Sequence, residues 1–310
     1  MLFLNCILFC LIVLFVVCFE CPAYCDCDSS SIECNEKNEK VSCLYSDLKT
    51  KLEITCIGDN SSGLDLLPDG FVNKTTSTLM ILDCALSHNQ TLANLMEYSS
   101  SIEFIKLRLN KSKDLEPYLF QNLSGLMKIE IESSDNNEFE NDLLSYVLQL
   151  EELKLYANYS ININGFMFNS LRHFKRLTVS QIYANYKIEF NMTSISKLNL
   201  KYFKCNGCDL TESIEITSAF KELQTLELTN CGIANFTKSF FKDSKNIDAI
   251  NLSHNKIMLL NDNSFDAQKY LTTLDLSNNQ IQIISRSSIF NIESLRILKM
   301  SHNAIAEIDK

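Results

Sequence analysis

The chain has 310 residues, a formal net charge of −10 at neutral pH, no Trp and 7 Gly. This acidic balance disfavours nucleic acid as a partner. The few glycines leave little room for a phosphate-binding loop. The sequence contains no HExxH motif and no arrangement of Ser, His and Asp typical of a hydrolase, so neither enzymatic activity nor a cofactor or metal is expected.

The chain begins with an apolar run over residues 2–19 that contains no charged residue. Such a run is typical of a secretory signal peptide, and residues 1–18 are predicted to be one. No Lys or Arg precedes the run, and 18 apolar residues approach the length of a membrane span. An uncleaved amino-terminal anchor is therefore the alternative. Both interpretations place the rest of the chain on the extracellular side.

Cysteines cluster directly after this run. Three of the 13 cysteines precede residue 19, so ten remain in the mature chain. An even number of cysteines behind a signal peptide predicts disulfides in an oxidising compartment rather than a zinc site. Residues 19–75 are therefore predicted to form a small disulfide-stapled cap, with these six cysteines: Cys21, Cys25, Cys27, Cys34, Cys43 and Cys56.

The rest of the chain, residues 76–310, repeats with a period of about 24 residues. Residues 223–233, 247–257, 271–281 and 295–305 all fit LxxLxLxxNxI, with Ile or Met in place of some Leu and Cys231 in place of one Asn. About ten repeats are predicted, the last one incomplete. Earlier repeats are predicted to start near Thr76 and at Ile102, Leu126, Leu150, Phe174 and Ile195, with an irregular turn around Ile195.

This pattern has a direct physical interpretation. In LxxLxL the second and third Leu alternate with polar residues, so they point into the core from a short strand. The Asn at the ninth position can satisfy backbone groups in the buried turn that follows. No repeat buries its apolar face alone, so stacked repeats share one continuous core.

These residues resemble the leucine-rich repeat family in its 24-residue extracellular form. The resemblance implies an α/β solenoid: a horseshoe with a parallel β-sheet on its concave face and irregular or short helical turns on its convex face. The motif CPxxCxC…C at residues 21–34 resembles the amino-terminal cap of such proteins, which implies the pairs Cys21–Cys27 and Cys25–Cys34. Cys43 and Cys56 are then paired by elimination.

Four further cysteines lie within the repeats. Cys84 and Cys231 occupy the ninth position, where a buried thiol can replace Asn. The alternative is pairing: Cys205 and Cys208 lie in the irregular repeat, and a disulfide from Cys231 to one of them would hold that turn.

Nine N-x-S/T sequons are present. Asn110 and Asn158 lie at the ninth position and are expected to stay unmodified. A glycan on Asn251 would obstruct the concave face. Six sites suit glycosylation, because they are predicted in the cap, the coil sides or the convex turns: Asn60, Asn73, Asn89, Asn122, Asn191 and Asn235.

The predicted concave face is charged and carries aromatic residues in its first half, whereas its second half is small and neutral. Interfaces favour Arg and Tyr, so the first half is the candidate partner-binding face. The alternative is a solvated sheet whose charges pair across strands. The candidate residues are Phe104, Lys106, Arg108, Lys128, Glu130, Glu152, Lys154, Tyr156, Arg176, Lys197 and Lys201.

The order of SSIEC (30–34), LEITC (52–56), LLP (66–68) and LMILDCAL (79–86) resembles the amino-terminal region of invertebrate Toll receptors. That resemblance implies a cell-surface receptor in innate immunity or development. It would bind a cystine-knot cytokine of the Spatzle type, or a microbial product, and signal as a homodimer through a membrane span and a TIR domain.

The sequence itself ends inside a repeat without a second span, which favours a fragment of such a receptor. The alternative is a secreted or matrix-associated adhesion or structural protein of the same repeat family.

Overall fold

The computed structural model describes most of the repeat region and part of the cap. The described residues are 25–27, 31–36, 39–45, 50–57, 67, 71–72, 75–84, 91–95, 101–109, 115–133, 142–158, 161–163, 165–182, 188–190, 198–210, 220–235, 240–289 and 291–308. The predicted signal peptide, Cys21 and Lys197 lie outside them. Among the described residues, no helix has the length and apolar character needed to cross a membrane.

Short strands dominate the described part of the chain. They are β1 (Cys25–Cys27), β2 (Ser31–Glu36), β3 (Glu39–Tyr45), β4 (Lys51–Ile57), β5 (Thr78–Leu82), β6 (Phe104–Leu109), β7 (Lys128–Ser133), β8 (Glu152–Ala157), β9 (Ile161–Ile163), β10 (Arg176–Gln181), β11 (Ile188–Phe190), β12 (Tyr202–Asn206), β13 (Thr225–Thr229), β14 (Ala249–Asn251), β15 (Leu259–Leu260), β16 (Thr273–Asp275), β17 (Ile283–Ile284), β18 (Ile297–Lys299) and β19 (Glu307–Ile308).

One large sheet runs through the described part of the molecule in the order β1-β2-β3-β4-β5-β6-β7-β8-β10-β12-β13-β14-β16-β18. The strands β1 to β4 pair antiparallel, and from β4 onward each strand pairs in parallel with the next. The predicted parallel sheet of a leucine-rich repeat solenoid is therefore confirmed, and an antiparallel cap sheet extends it at the amino-terminal end.

Between these strands, the described residues carry small elements, in agreement with the solenoid prediction. Two further sheets, β9 with β11 and β15 with β17 and β19, join equivalent segments of successive coils. The helical pieces among the described residues are single turns. They comprise 3₁₀ turns at Leu92–Leu95, Pro117–Phe120 and Gly165–Phe168 and one α-helical turn at Arg286–Ile289.

The predicted alternation of buried and more exposed residues is visible along β6, β7 and β8, whereas in β10 the outward Thr178 is buried as well. In β6, Ile105 and Leu107 are fully buried, whereas Phe104, Lys106 and Arg108 are partly exposed. Equivalent positions of successive strands lie side by side, so the buried residues form rows that continue from the cap strand β4 to β16. The core is one continuous cluster, as stacking of incomplete apolar faces requires.

An Asn ladder closes the turn after the strands in the later repeats. The Asn279 Nδ2 donates to the Leu252 and Leu276 carbonyl oxygens, both at 3.0 Å, and its Oδ1 accepts from the Ile257 amide at 3.1 Å. Asn255 and Asn303 make the equivalent bonds. Each side chain thus satisfies backbone groups of two coils, and at the buried Asn255 and Asn279 this happens in a turn where water is excluded.

The ninth position of each repeat, which the ladder Asn occupies, is called the ladder position. The residue before it adopts the left-handed backbone conformation in several repeats. Its φ is 58° at His254, 55° at Asn278 and 82° at Gly207. Polar residues with short side chains tolerate this conformation, and Gly adopts it without cost. At Gly207 a Cβ would lie 2.5 Å from the Gln181 Oε1, so space as well as backbone conformation requires Gly there.

The irregular repeat starts later than predicted. Strand β12 pairs Tyr202 with Thr225, which makes Leu200 the first residue of this repeat rather than Ile195. Phe203 and Cys205 then fill the two inward strand positions and Cys208 takes the ladder position, all fully or almost fully buried. The prediction at Ile195 was wrong because Phe and two Cys replace the Leu and Asn that define the motif.

Two of the predicted disulfide assignments were also wrong. Cys56 is bonded to Cys84, with a Cα–Cα distance of 4.9 Å, and Cys43 is a buried free thiol. The register explains this: Cys43 lies opposite Ile54 and Cys56 lies opposite Val41, so the two cysteines are diagonal neighbours. Diagonal Cα atoms lie about 7–8 Å apart, beyond the reach of a disulfide. Cys84 is therefore part of a disulfide and is not the free, buried thiol that was predicted from its ninth position in the repeat.

The cysteines of the irregular repeat follow a third arrangement. Cys205 is bonded to Cys208, and Cys231 keeps a free, buried thiol that donates to the carbonyl oxygens of Thr229 at 3.2 Å and Cys205 at 3.4 Å. A disulfide from Cys231 to either residue is thus not formed. In the cap, the register places Cys25 directly opposite Cys34, whereas the predicted pair Cys21–Cys27 lies outside the described residues.

Candidate ligand-binding face

The outward positions of the large sheet form three rows, because the strands of successive repeats are in register. We call the exposed side of β6 to β13 the concave face. Nine of the predicted binding residues lie on it, namely Phe104, Lys106, Arg108, Lys128, Glu130, Glu152, Lys154, Tyr156 and Arg176. Lys201 does not: it precedes β12, at the amino-terminal edge of the sheet. Lys197 lies outside the described residues.

Tyr202, Lys204 and Asn206 take the outward positions of β12. These three residues were not predicted to face outward, because the predicted start of this repeat, Ile195, lies five residues before the observed one, Leu200. The signal that could have found them is the inward pair Phe203 and Cys205, which alternates with polar residues as a strand should.

Charges on the concave face pair across neighbouring strands. The Lys106 Nζ lies 2.6 Å from the Glu130 Oε1, and the Lys154 Nζ lies 3.9 Å from the Glu130 Oε2. Glu152 lies 3.7 Å from Lys154 and 3.6 Å from Arg176. The charges therefore form an ordered, alternating network. It fixes long side chains that would otherwise be free, although surface pairs of this kind add little stability.

A second cluster centres on Tyr202. The Arg176 guanidinium lies over its ring, 4.3 Å from the centroid, and the Tyr202 hydroxyl donates to the Glu227 Oε1 at 2.8 Å. Burial and the bond to Glu227 raise the pKa of Tyr202 above the ordinary range. Lys204 lies 3.0 Å from the other oxygen of Glu227. The result is a preorganised patch of one aromatic ring, two cations and one carboxylate.

Arg108 lies on β6, at the end of the concave face that is nearest the cap. Its guanidinium makes two bonds to Asp83, at 2.6 Å and 3.0 Å. This bidentate hydrogen bond raises the pKa of Arg108, against the opposing effect of burial. Tyr156 lies on the same row of the sheet two strands further on, and burial raises its pKa, as does the charge of Glu130.

In β14 and β16 the outward positions carry smaller residues. Asn251 accepts a hydrogen bond from the Ser253 amide at 2.9 Å, and Asp275 accepts one from the Ser277 amide at 3.0 Å. Burial opposes ionisation of Asp275, but the bonds from Ser277 and from Lys299 outweigh it and hold the pKa below its ordinary value. Arg and Tyr are concentrated in β6 to β12.

Some of the sequon asparagines lie among the described residues, and the others lie outside them. Asn122 and Asn235 are exposed, and Asn158 is partly buried with its Oδ1 shielded from solvent. Asn60, Asn73, Asn89, Asn110 and Asn191 lie outside the described residues. Glycosylation at Asn122 and Asn235 stays a prediction.

No group of His, Cys, Asp and Glu within the described part of the chain could hold a metal ion.

Comparisons with known proteins agree with this architecture. A leucine rich repeat family model matches residues 260–305. The crystal structure of the TLR13–ssRNA13 complex is similar, with a TM-score of 0.59 and 19% identity over 76% of this chain and 37% of that chain. The chain spans well under two thirds of that relative. At such identity the likeness is one of fold.

Two further solved structures are more distant. The leucine-rich repeat domain of APL1B has a TM-score of 0.48 and 15% identity, covering 76% of this chain and 65% of that chain. The Toll–Spatzle complex from Drosophila has a TM-score of 0.40 and 14% identity, covering 92% of this chain and 51% of that chain. No curated protein matches the sequence.

Proposed function

We propose that this leucine-rich repeat solenoid is the ligand-binding region of a Toll-type extracellular receptor and that the ligand binds on the concave face. One observation carries this proposal: the ordered cluster of Arg176, Tyr202, Glu227 and Lys204 on an exposed sheet. Arg and Tyr dominate the energetic centres of protein interfaces. A cluster already held in place loses little conformational entropy on binding.

The chemistry of the concave face favours a protein ligand. Lys106, Glu130 and Lys154 present both signs of charge along one row, so a complementary partner must itself carry both. An extended sheet with alternating charges suits the surface of a folded protein better than a small apolar molecule, which requires an enclosed pocket.

The cap supports the Toll type among receptors of this fold. Two of the segments that resemble invertebrate Toll receptors are neighbours in the fold: LEITC lies in β4, residues 79–82 of LMILDCAL lie in β5, and the disulfide Cys56–Cys84 joins the two segments. By this resemblance the ligand is a cystine-knot cytokine of the Spatzle type, and the biological role is innate immune or developmental signalling by a receptor dimer.

Equilibrium binding tests this proposal. The full chain is secreted from insect cells, captured on a sensor and titrated with a processed cystine-knot cytokine of the Spatzle type. Because an interfacial anchor contributes about 2 kcal/mol or more, Arg176→Ala and Tyr202→Ala are each expected to weaken binding roughly 30-fold. The exposed Lys256, outside the concave face, gives the matched control Lys256→Ala, which is expected to bind like the wild type.

Three results distinguish the alternatives. Selective loss in the two concave variants supports the proposal. Equal binding by all four proteins places the ligand elsewhere and contradicts it. Absence of cytokine binding, together with adhesion to a collagen-coated surface, would favour the secreted or matrix-associated adhesion protein instead.

A further inference from the structure

A shallow cavity of about 350 Å³ opens at the amino-terminal edge of the large sheet, beside the concave face. The residues that line it come from the segments just before β10, β12 and β13. Three are cations, namely Arg172, Lys175 and Lys201, and His173 and Asn199 add polar groups. Glu222 is the one carboxylate in the lining. The cavity is thus a concentration of positive charge in a chain of net charge −10.

The register places two of these cations side by side. The Lys201 amide donates to the Lys175 carbonyl oxygen at 2.8 Å, so the two residues are neighbours at the same repeat position. Lys175 reaches away to Glu151 at 2.7 Å. Within the described part of the chain, neither Arg172 nor Lys201 pairs with a carboxylate. Like charges at adjacent sheet positions disfavour folding, so an anion in the cavity would relieve their repulsion.

The positive charge continues along the same edge. Arg172 lies two residues before its repeat start, Phe174, and three Lys occupy that same place in later repeats: Lys221, Lys245 and Lys269. All four are exposed. Leu198 takes this place in the intervening repeat that begins at Leu200, where Lys201 supplies the positive charge instead, whereas Lys221, Lys245 and Lys269 lie in consecutive repeats about 4.8 Å apart. A single small anion would use only the cavity, whereas a linear polyanion can contact the whole row.

We propose that this edge binds a sulfated polysaccharide, with a sulfate group seated between Arg172 and Lys201. The guanidinium presents two parallel donors to sulfate oxygens and the ammonium adds a third. Single-stranded nucleic acid is held largely by base stacking on exposed rings, but the aromatic residue in the cavity, Phe174, is buried. The site is separate from the concave face and does not depend on the cytokine ligand.

Affinity for a heparin hexasaccharide, measured by calorimetry on the full chain in 150 mM salt, tests this inference. Arg172→Ala and Lys201→Ala are each expected to weaken binding roughly tenfold, because each removes a charge-assisted bond. Glu222→Gln is expected to tighten it, because it removes the lining carboxylate. Lys256→Ala removes one exposed charge elsewhere and is expected to leave affinity unchanged. The same hexasaccharide without sulfate is expected not to bind.

The sign of the Glu222→Gln effect separates the site from misfolding, since a damaged fold does not bind more tightly. The unchanged affinity of Lys256→Ala separates it from general charge attraction. Equal affinity of Arg172→Ala, Lys201→Ala and Lys256→Ala would overturn the inference. So would undiminished binding of the desulfated sugar, or no binding of the sulfated one. If a 13-nucleotide single-stranded RNA binds at this edge and the hexasaccharide does not, the site belongs to nucleic acid and the proposal is wrong.

Discussion

The Arg176 guanidinium lies 4.3 Å from the centroid of the Tyr202 ring, although an irregular stretch of chain separates their two strands. Strands β10 and β12 are paired over five residues. The cation and the ring therefore meet where the regular period of the repeats is interrupted, and the concave face continues across the interruption without a gap in its rows.

Tyr202 should resist ionisation. Because burial and the bond to Glu227 raise its pKa, the folded state favours the neutral phenol. The stability that this contributes is fully present below the unfolded pKa and is lost as pH rises through the folded pKa. An absorbance titration at 295 nm compares the wild type with Tyr202→Phe. The two curves are expected to coincide near pH 10 and to diverge only at higher pH. A difference of about half a tyrosine near pH 10, as an ordinary phenol would give, would refute the shift.

The disulfide between Cys56 and Cys84 should stabilise the junction of cap and repeats. It closes a segment with a sequence separation of 28, which corresponds to about 3.5 kcal/mol of chain entropy. Urea unfolding of a variant with both residues changed to Ala should show a loss of that order. Cys43→Ala removes a buried thiol without a cross-link and should cost only about 1 kcal/mol.

Thiol mapping checks the same assignment independently. Burial raises the pKa of both Cys43 and Cys231 to about 12, so neither thiol should react in the folded protein. After unfolding without reductant, both should be alkylated, whereas Cys56 and Cys84 should require reduction. Alkylation of Cys84 before reduction would show that a different pair forms.

Each Asn of the ladder should contribute to the free energy of unfolding in proportion to the burial of its side chain. Asn279→Ala leaves the Ile257 amide and two carbonyl oxygens without partners in a dry turn, at a cost of about 3 kcal/mol. Asn303 makes equivalent bonds but is only partly buried, so water can replace them and Asn303→Ala should cost about 1 kcal/mol. Denaturant midpoints measure both. Equal losses would contradict the role assigned to burial.

Gly207 should be required for two separable reasons. An added Cβ would meet the Gln181 side chain, and a φ of 82° strains any residue with a Cβ. Gly207→Ala is therefore expected to lower the free energy of unfolding by about 2 kcal/mol. Combining it with Gln181→Ala removes the contact with the Gln181 Oε1 but leaves that residue's Cβ at 2.8 Å and the backbone strain, so more than half of the loss should remain. Additive losses would mean that the two residues do not interact.

The sequence predicted the fold where its motif is complete and failed where other residues perform the same physical task. Leu271, Leu274 and Leu276 identify themselves because the pattern is regular, and all three are fully buried. Phe203 and Cys208 fill the same positions with a different shape, so the period was assigned to the wrong residues. The Cys56–Cys84 bond could not be deduced from spacing, because it depends on which strands are neighbours.

The predicted binding face shows the same limit. Strand alternation placed Lys106, Glu130 and Lys154 correctly on the outward side. Whether such residues are free or paired depends on distances across three strands, which no single repeat encodes. The Tyr202 cluster was missed for this reason as well, since its partners Arg176 and Glu227 come from separate repeats.

A glycan placed on the concave face would block a ligand that binds there. Glu227→Asn creates a sequon with the native Leu228 and Thr229 beside the Tyr202 cluster, and Lys242→Asn creates one with Asp243 and Ser244 away from the sheet. Both secreted proteins are checked for glycan occupancy and titrated with the Spatzle-type cytokine. The first glycan is expected to abolish binding, and the second is expected to leave it intact. Undiminished binding by a fully glycosylated Glu227→Asn protein would contradict a ligand site on this face.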